Sequence, residues 1–318
     1  MVEVIKTDDQ KKSGVVFIVG SPRSGTTLLG KILDLAPQIS CWIEPYFVID
    51  HHFRHSSNDC RGAAAASDEV KEYILNAFDY YRSKCGCRIV VDKSPRNSLK
   101  IPFLREVFPD ARFIHILRDG RDATLSINTK WHREFDKSEG YYHQKLKVFK
   151  MYLTRQPLFA HKIASLLFEV GSFTDVLRGG SFLQKLRWNG RIGLGPRFEG
   201  WEYIFDTAST LEFNALQWVK CVEEIIKEKQ NVEESKFLEI RYEDFLKQTR
   251  KTLTRIFDFL ETPFPEDFIY RLPVIENTNY GKWKKAFSDM EKNQIGPILN
   301  PLLLQLGYVD SDSWYKMC

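Results

Sequence analysis

The hydrophobic pattern of the chain alternates between short β-branched runs and longer segments with apolar residues at helical spacing. The runs typical of buried parallel strands are 14–19, 88–92, 111–117 and 236–240. The segments with helical periodicity are 26–36, 68–84, 97–108, 120–130, 211–229 and 242–260. Strands separated by helices imply βαβ units with right-handed crossovers. The pattern therefore predicts a three-layer α/β fold with a central, mostly parallel sheet.

Two stretches depart from this alternation. Residues 51–67 contain His51, His52, His55 and an alanine run, and they predict a loop. Residues 131–210 mix helical pieces with a glycine-rich and aromatic segment, and no clean linker flanks them. We therefore predict one domain over residues 1–318, with 131–210 as a helical insertion. This insertion is predicted to cover the ligand-binding site or to bind a substrate that accepts a transferred group. Its cationic and aromatic candidates for acceptor contact are Arg187, Trp188, Arg191, Arg197, Trp201 and Tyr203. The alternative is that Trp188 and Trp201 pack the insertion onto the sheet.

The amino-acid composition limits the classes of binding partner and the cellular compartment that we expect for the protein. The 46 basic and 42 acidic residues give a net charge of +4, which is too mild to indicate nucleic acid. The charged start of the chain and the short apolar run at 14–19 predict neither a signal peptide nor a membrane span. Six cysteines without framework spacing favour reduced thiols and a cytoplasmic protein, and the Cys85 and Cys87 pair lacks the partners of a metal site.

A glycine-rich loop, GSPRSGTT at residues 20–27, follows the first predicted strand. Gly20 and Gly25 have the spacing of a phosphate-binding loop, but Thr26 stands where such a loop carries its lysine. A strand, a glycine turn and a helix N-terminus together offer backbone N–H groups to an anion. The hydroxyls of Ser24, Thr26 and Thr27 are further donors, although the same residues suit an ordinary helix cap. Arg23 is the only cation in the loop, and it can act as an electrostatic clamp beside a transferring group.

This loop resembles the 5′-phosphosulfate-binding loop of sulfotransferases that use 3′-phosphoadenosine 5′-phosphosulfate (PAPS). The second signature of that family is an arginine and a serine eight residues apart at a strand end, which Arg118 and Ser126 provide. The resemblance implies a nucleotide-binding core similar to that of P-loop proteins. It assigns the 3′-phosphate to Arg118 and Ser126, and the 5′-phosphosulfate to Ser21, Pro22, Arg23, Ser24, Gly25, Thr26 and Thr27.

Two further segments extend the resemblance. RYEDFL resembles the segment with a tyrosine near the adenine, which points to Tyr242. TNYGKWKKAF resembles the C-terminal basic segment over the nucleotide, which points to Lys282 and Lys284, with Lys285 beside them. The alternatives are simple packing for the tyrosine and a solvated face for the lysines.

The resemblance also suggests the general base. Small-molecule members of the family use a histidine two residues after a lysine, but here Lys93 is followed by Pro95 at that position. The protein-tyrosine sulfotransferase branch instead uses a glutamate after the loop, and Glu44 lies 21 positions after Arg23 in the same arrangement. This implies Glu44 as base, Arg23 as clamp and Lys93 as the cation near the sulfuryl group. The rival bases are His51, His52 and His55.

The expected reaction is sulfuryl transfer from PAPS to a hydroxyl, or less readily an amine, without a metal ion. A small-molecule, lipid or sugar acceptor is favoured because the sequence shows neither the membrane anchor nor the cysteine framework of the tyrosine-sulfating branch. A homodimer stays open. The alternative functions are a nucleoside triphosphate-dependent kinase with a divergent loop and a catalytically silent nucleotide-binding protein.

Overall fold

A computed structural model describes residues 14–54, 56–134, 163, 195–265, 267–275 and 278–316 of the chain. Its sheet contains β1 (Gly14–Val19), β2 (Ile39–Ile43), β3 (Ile89–Lys93), β4 (Arg112–Leu117) and β5 (Phe237–Arg241). The strand order is β2-β3-β1-β4-β5, and every neighbouring pair is parallel. The predicted α/β fold is thereby confirmed.

The helices before β4 are α1 (Thr26–Leu33), α2 (Tyr46–Ile49), α3 (Asp68–Cys85) and α4 (Ile101–Val107). Those after β4 are α5 (Gly120–Glu134), α6 (Trp201–Thr207), α7 (Thr210–Lys229), α8 (Tyr242–Lys247), α9 (Thr249–Phe259), α10 (Trp283–Ala286) and α11 (Asp289–Gln305).

Three local features differ from the sequence prediction. The predicted helix 97–108 is a 3₁₀ turn followed by α4, because Lys100 between them has φ −134°. The predicted helix 242–260 is two helices, since Gln248 has φ −129° and interrupts the regular backbone. The strand β2 was not indicated by the hydrophobic pattern.

The core lies on both faces of the sheet. On β1, Phe17 faces one way and packs with α3 and α4, whereas Ile18 faces the other way and packs with α1 and α9. Both side chains have no exposed surface. This alternation on a strand covered from both sides explains the continuous apolar run in the sequence and the three-layer architecture.

The longest described part of the insertion, residues 195–210, packs against the 56–61 loop and α7. Trp201 is 1% exposed, and its Nε1 donates to the Ser57 carbonyl at 2.8 Å. Arg197 is also buried and pairs with Asp59 at 2.9 Å. These two residues therefore serve packing, in place of the acceptor contact suggested for them, whereas Tyr203 is exposed. Arg187, Trp188 and Arg191 lie outside the described residues, and the single-domain organisation stays a prediction.

Two global properties concern the described part of the chain. None of its helices combines the length and apolar character needed to cross a bilayer. Its cysteines, namely Cys41, Cys60, Cys85, Cys87 and Cys221, form no disulfide.

Candidate active site

The carboxyl ends of all five strands meet at one edge of the sheet, and each carries a residue that the sequence singled out. The loop starting at Gly20 follows β1, Glu44 follows β2 and Lys93 ends β3. Arg118 follows β4 and Tyr242 follows β5. A cavity of about 350 Å³ opens at this edge. Such an edge is where ligands bind in parallel α/β sheets.

The glycine loop is fixed at its start by a reciprocal pair of hydrogen bonds. The Gly20 N–H donates to Ser98 Oγ, and Ser98 Oγ donates to the Gly20 carbonyl, both at 3.0 Å. At the other end Gly25 has φ 98°, and a Cβ there would lie 2.5 Å from the Tyr242 ring. Glycine is therefore required both for the left-handed backbone and for the close approach of the ring.

No side chain caps the N-terminus of α1. The first turn of any α-helix has N–H groups without intrahelical partners, and they carry the positive end of the helix dipole. Thr26 and Thr27 of this turn line the cavity, together with Pro22 and Arg23. The start of α1 is thus built to accept an anion from the cavity.

Ser21 and Ser24 lie differently from the rest of the loop. Both are 1% exposed, and their hydroxyl oxygens are 2.6 Å apart in a mutual hydrogen bond. Neither belongs to the cavity wall. Their hydroxyls therefore brace the turn, and their part in nucleotide binding stays a prediction.

Arg118 and Ser126, the residues of the second signature, form hydrogen bonds with the glycine loop. Arg23 Nε donates to Ser126 Oγ at 3.1 Å, and Arg118 Nη1 donates to the Arg23 carbonyl at 2.8 Å. All three residues line the cavity. Arg23 has φ 65°, a conformation that costs a non-glycine residue free energy and that often marks functional sites.

Tyr242 and Asn279 form the adjacent wall. The Arg118 guanidinium carbon lies 4.5 Å from the Tyr242 ring centre, and Asn279 Nδ2 donates to the Tyr242 hydroxyl at 3.1 Å. Arg118 Nη2 also donates to the Asn279 carbonyl at 2.9 Å. Lys282 and Lys284 are exposed and lie outside the cavity wall, and their part in nucleotide binding stays a prediction.

Glu44 and Lys93 form an ion pair at the edge of the cavity. Lys93 Nζ lies 2.7 Å from Glu44 Oε1, and the Glu44 N–H donates to the Lys93 carbonyl at 3.1 Å. The side chain of Lys93 is 1% exposed and that of Glu44 is 12% exposed. Glu44 lines the cavity, whereas Lys93 lies behind it. Glu44 has φ 55°, so this backbone too is held in an unfavourable conformation.

Asp92, next to Lys93 in sequence, does not line the cavity. Its Oδ1 accepts a hydrogen bond from Ser94 Oγ at 2.6 Å, and burial raises the pKa of the Asp92 carboxyl to about 6. Its role is in the turn after β3.

Of the rival histidines, His51 and His52 are not among the residues that line the cavity. His51 stacks on Tyr73 with 4.3 Å between ring centres, and His52 contacts the same ring edge-on at 5.3 Å. Burial lowers the pKa of His51. His55 lies outside the described residues. Glu44 is therefore the one carboxylate or imidazole among the described residues that line the cavity.

Sequence reasoning missed a cation on the side of the cavity near Glu44. Arg96 lines the cavity, with its guanidinium carbon 4.2 Å from the centre of the Tyr46 ring. It lies 3.8 Å from Asp50 and 3.7 Å from Asp59. The sequence did contain an indication of this cation, because Arg96 follows Lys93 by three positions at the same strand end.

Behind Arg96, Asp59 and Asp50 anchor a buried ionic cluster. Burial alone would raise the pKa of Asp59, but the charges of Arg197, Arg96 and Lys100 hold it well below its usual range. Lys100, which has no exposed surface, pairs with Asp50. Removing one partner of a buried ion pair leaves an uncompensated charge, so these residues depend on one another for stability.

The charge balance of the cavity favours an anion. Its described lining includes the cations Arg23, Arg96, Arg118 and Lys130, against the single carboxylate of Glu44. With the helix N-terminus added, the site suits a ligand with more than one negative group.

Comparison with known proteins agrees with this geometry. The model of the sulfotransferase family matches residues 15–169 and 197–266. Nodulation protein NoeE of Sinorhizobium fredii is 28% identical over 134 residues, which cover 37% of this chain and 32% of NoeE. Protein-tyrosine sulfotransferase A of Caenorhabditis elegans is 31% identical over 140 residues, which cover 39% of this chain and 36% of that protein. The chain thus spans about a third of the length of these relatives.

A solved structure shares the fold. The sulfotransferase domain from the curacin biosynthetic pathway superimposes with a TM-score of 0.54 at 16% identity, covering 93% of this chain and 98% of that domain. The family match extends over most of the chain and includes the loop, Glu44, Lys93, Arg118 and Tyr242. The protein belongs to the sulfotransferase family.

Proposed function

We propose that the protein transfers a sulfuryl group from PAPS to a hydroxyl of a small-molecule, lipid or sugar acceptor. The observation that supports this most strongly is the position of Glu44. Its carboxylate lines the same cavity as the anion-binding loop and is held by Lys93 at 2.7 Å. A base beside an anion site is the arrangement that an attacking hydroxyl requires.

The residues present fit the donor nucleotide. Gly25 allows the backbone to turn tightly beside Tyr242, and the uncapped start of α1 offers N–H groups to the 5′-phosphosulfate. Arg118 and Ser126 would hold the 3′-phosphate, and Tyr242 would contact the adenine. When bound, the donor supplies the sulfuryl group and a phosphate leaving group.

The chemistry of the chain's own residues follows from their positions. Glu44 would take the proton of the acceptor hydroxyl as its oxygen forms the new bond to sulfur. The bond from sulfur to the 5′-phosphate oxygen breaks, and Arg23 with the N–H groups of α1 would stabilise the negative charge on that oxygen. Lys93 keeps the Glu44 carboxylate oriented toward the cavity. The products are a sulfate ester, adenosine 3′,5′-bisphosphate and a proton.

The cavity near Glu44 suits a small acceptor better than a flat surface patch of a protein. Glu44 is only 12% exposed, and Tyr46, Pro95 and Arg96 line the cavity near it. A hydroxyl must therefore enter the cavity to reach the base. Tyr46 and Pro95 offer apolar contact to a ring of the acceptor.

We expect adenosine 3′,5′-bisphosphate to raise the melting temperature by a few degrees in the presence of EDTA, because a ligand that binds only the folded state stabilises it. ATP with Mg²⁺ should give a smaller shift, since the loop has Thr26 where a nucleoside triphosphatase has lysine. Differential scanning fluorimetry measures both. A larger shift with ATP and Mg²⁺ would support the kinase alternative. Bisphosphate binding without transfer to any of a broad panel of acceptors would support a silent binding protein.

Replacing Gly25 tests the loop itself. In Gly25→Ala the new Cβ would lie 2.5 Å from Tyr242 at a backbone angle of φ 98°, so the loop or the ring must move. We expect bisphosphate affinity to fall at least about tenfold, since the strain and the steric conflict together should cost the binding conformation of the loop about 1.4 kcal/mol or more. Titration calorimetry measures this change.

The matched control is Gly62→Ala. Gly62 has φ −85°, and a Cβ there meets no atom within 4 Å. This variant should bind like the wild type. Equal affinity in both variants would show that the nucleotide does not use the loop.

A further inference from the structure

A short segment, residues 278–283, forms part of the cavity wall and is called the strap here. Its Asn279 lines the cavity and donates through Nδ2 to the Tyr242 hydroxyl at 3.1 Å. The position of the strap therefore determines where this wall stands beside the nucleotide site.

The strap is attached to the start of α5 by neighbouring residues. Asp122 accepts the N–H of Gly281 at 2.5 Å and the N–H of Trp283 at 3.1 Å, one on each carboxylate oxygen. The Arg121 guanidinium carbon lies 4.0 Å from the centre of the Trp283 ring. The same short stretch, 118–122, thus carries both the proposed phosphate ligand Arg118 and the strap attachment.

Asp122 is unlike the glutamates in the first turns of other helices. Glu212 in α7 and Glu291 in α11 accept the N–H of their own N-cap serine and so stabilise their own helices. Asp122 is 2% exposed and directs both oxygens to the strap. Burial raises the pKa of Asp122, while the hydrogen bonds from Gly281 and Trp283 oppose that rise. A buried carboxylate is costly, and here its hydrogen bonds to backbone N–H groups of the strap offset that cost.

We propose that Asp122 is a positioning residue for the donor nucleotide: it holds the strap against α5, so that Asn279 and Tyr242 stand where the nucleotide needs them. Asp122 itself does not line the cavity. This inference rests on the proposed function, because it concerns the same nucleotide site.

The experiment compares Asp122→Asn with the wild type and with Asp68→Asn. Asp68 also lies in the first turn of a helix, α3, but it is exposed and is not among the residues that line the cavity. The control therefore removes the same charge from a helix start without touching the strap. Two readouts are used: the dissociation constant for adenosine 3′,5′-bisphosphate by calorimetry, and the rate of limited trypsin cleavage.

Trypsin cleavage reports on the strap because Lys282 and Lys284 are exposed at its end. Cleavage after these lysines is compared with cleavage after Lys84, an exposed lysine at the end of α3. We expect Asp122→Asn to weaken bisphosphate binding about tenfold, the effect of losing charge-assisted hydrogen bonds. We also expect it to raise strap cleavage several-fold relative to Lys84, and Asp68→Asn to change neither.

A second variant, Gly281→Ala, keeps the test decisive if Asp122→Asn folds poorly. Gly281 has φ 72°, and an added Cβ meets no atom within 4 Å, so the change opposes only the backbone conformation of the strap. The expected direction is the same for both readouts.

Two results would overturn the inference. One is an unchanged dissociation constant and cleavage ratio in both variants. The other is cleavage that rises equally at Lys84, which would indicate general loss of stability. If the wild type itself does not bind the bisphosphate, the proposed function fails and the nucleotide part of the inference with it. The cleavage ratio would still show whether Asp122 holds the strap.

Discussion

Glu44→Gln is expected to lower turnover by about 10²- to 10⁴-fold, the usual contribution of a general base. The amide keeps the size of the side chain and an oxygen that can accept from Lys93, but it cannot take a proton from the acceptor. Nucleotide affinity should stay within a few-fold of the wild type, because the loop, Arg118 and Tyr242 are unchanged. Turnover is measured as transfer of ³⁵S from labelled PAPS to an acceptor found in a panel of phenols, sugars and lipids.

The matched control for this variant is Glu239→Gln. Glu239 is also a partly buried, ion-paired glutamate, at 2.9 Å from His115 and 3.5 Å from Lys229, but it lies within β5 and outside the cavity wall. Its replacement should lower stability and leave turnover of the folded enzyme near normal. A Glu44→Gln enzyme that kept most of the wild-type rate would refute the base assignment, and His51, His52 and His55 would be tested next.

Lys93→Met is expected to lower turnover by about 10²- to 10³-fold, because it removes the group that orients Glu44, and a positioned general base contributes about 10²- to 10⁴-fold. Methionine fills the buried volume but removes the ammonium group that holds Glu44. The affinity for adenosine 3′,5′-bisphosphate should change little, since Lys93 lies behind Glu44 and outside the cavity wall. The measurement is kcat at saturating donor, together with calorimetry for the bisphosphate.

The double variant Glu44→Gln with Lys93→Met separates a shared role from two independent ones. Because the two side chains are in contact, their effects should not add, and the double variant should be about as slow as Glu44→Gln alone. Fully additive losses would mean that Lys93 acts on the sulfuryl group independently of Glu44. A stability control is Lys100→Met, which removes another fully buried lysine.

The sequence predicted the fold well because the sheet is covered on both faces. A strand buried from both sides is a mainly apolar run, and β1 and the first part of β3 have that pattern, whereas β4 and β5 keep enough apolar residues around His115 and Glu239 to be recognised. The strand that the pattern missed is β2, with the sequence ISCWI, whose polar Ser40 bonds to Tyr81 of α3 at 2.9 Å. A serine that finds its partner in a distant helix interrupts the pattern without interrupting the strand.

The sequence predicted most residues of the candidate site individually, but the contacts between these residues depend on the tertiary structure. Arg118 and Ser126 were recognisable by spacing, but that they meet Arg23 follows only from the strand order, in which β1 and β4 are neighbours. The pairing of Glu44 with Lys93 likewise depends on β2 lying beside β3. Asn279 belongs to the TNYGKWKKAF segment that the resemblance places over the nucleotide, but the sequence pointed to the lysines of that segment and did not indicate that Asn279 lines the cavity.

The exposed lysines Lys282 and Lys284 show that composition alone does not indicate which residue of a segment faces inward. A basic run such as KWKK suggests phosphate contact by composition, yet in the structure it is Trp283 that is buried while Lys282 and Lys284 face outward. Which residue of such a run turns inward depends on the partner it meets, here Arg121 and Asp122 of α5.

The central claim is that the cavity at the strand ends binds the PAPS nucleotide through the glycine loop. Titration calorimetry of adenosine 3′,5′-bisphosphate in EDTA, with the wild type and Gly25→Ala side by side, tests it most directly. The account predicts one bound nucleotide per wild-type chain without a metal ion, and at least about tenfold weaker binding by Gly25→Ala. No binding by the wild type, or equal binding by both proteins, would contradict it.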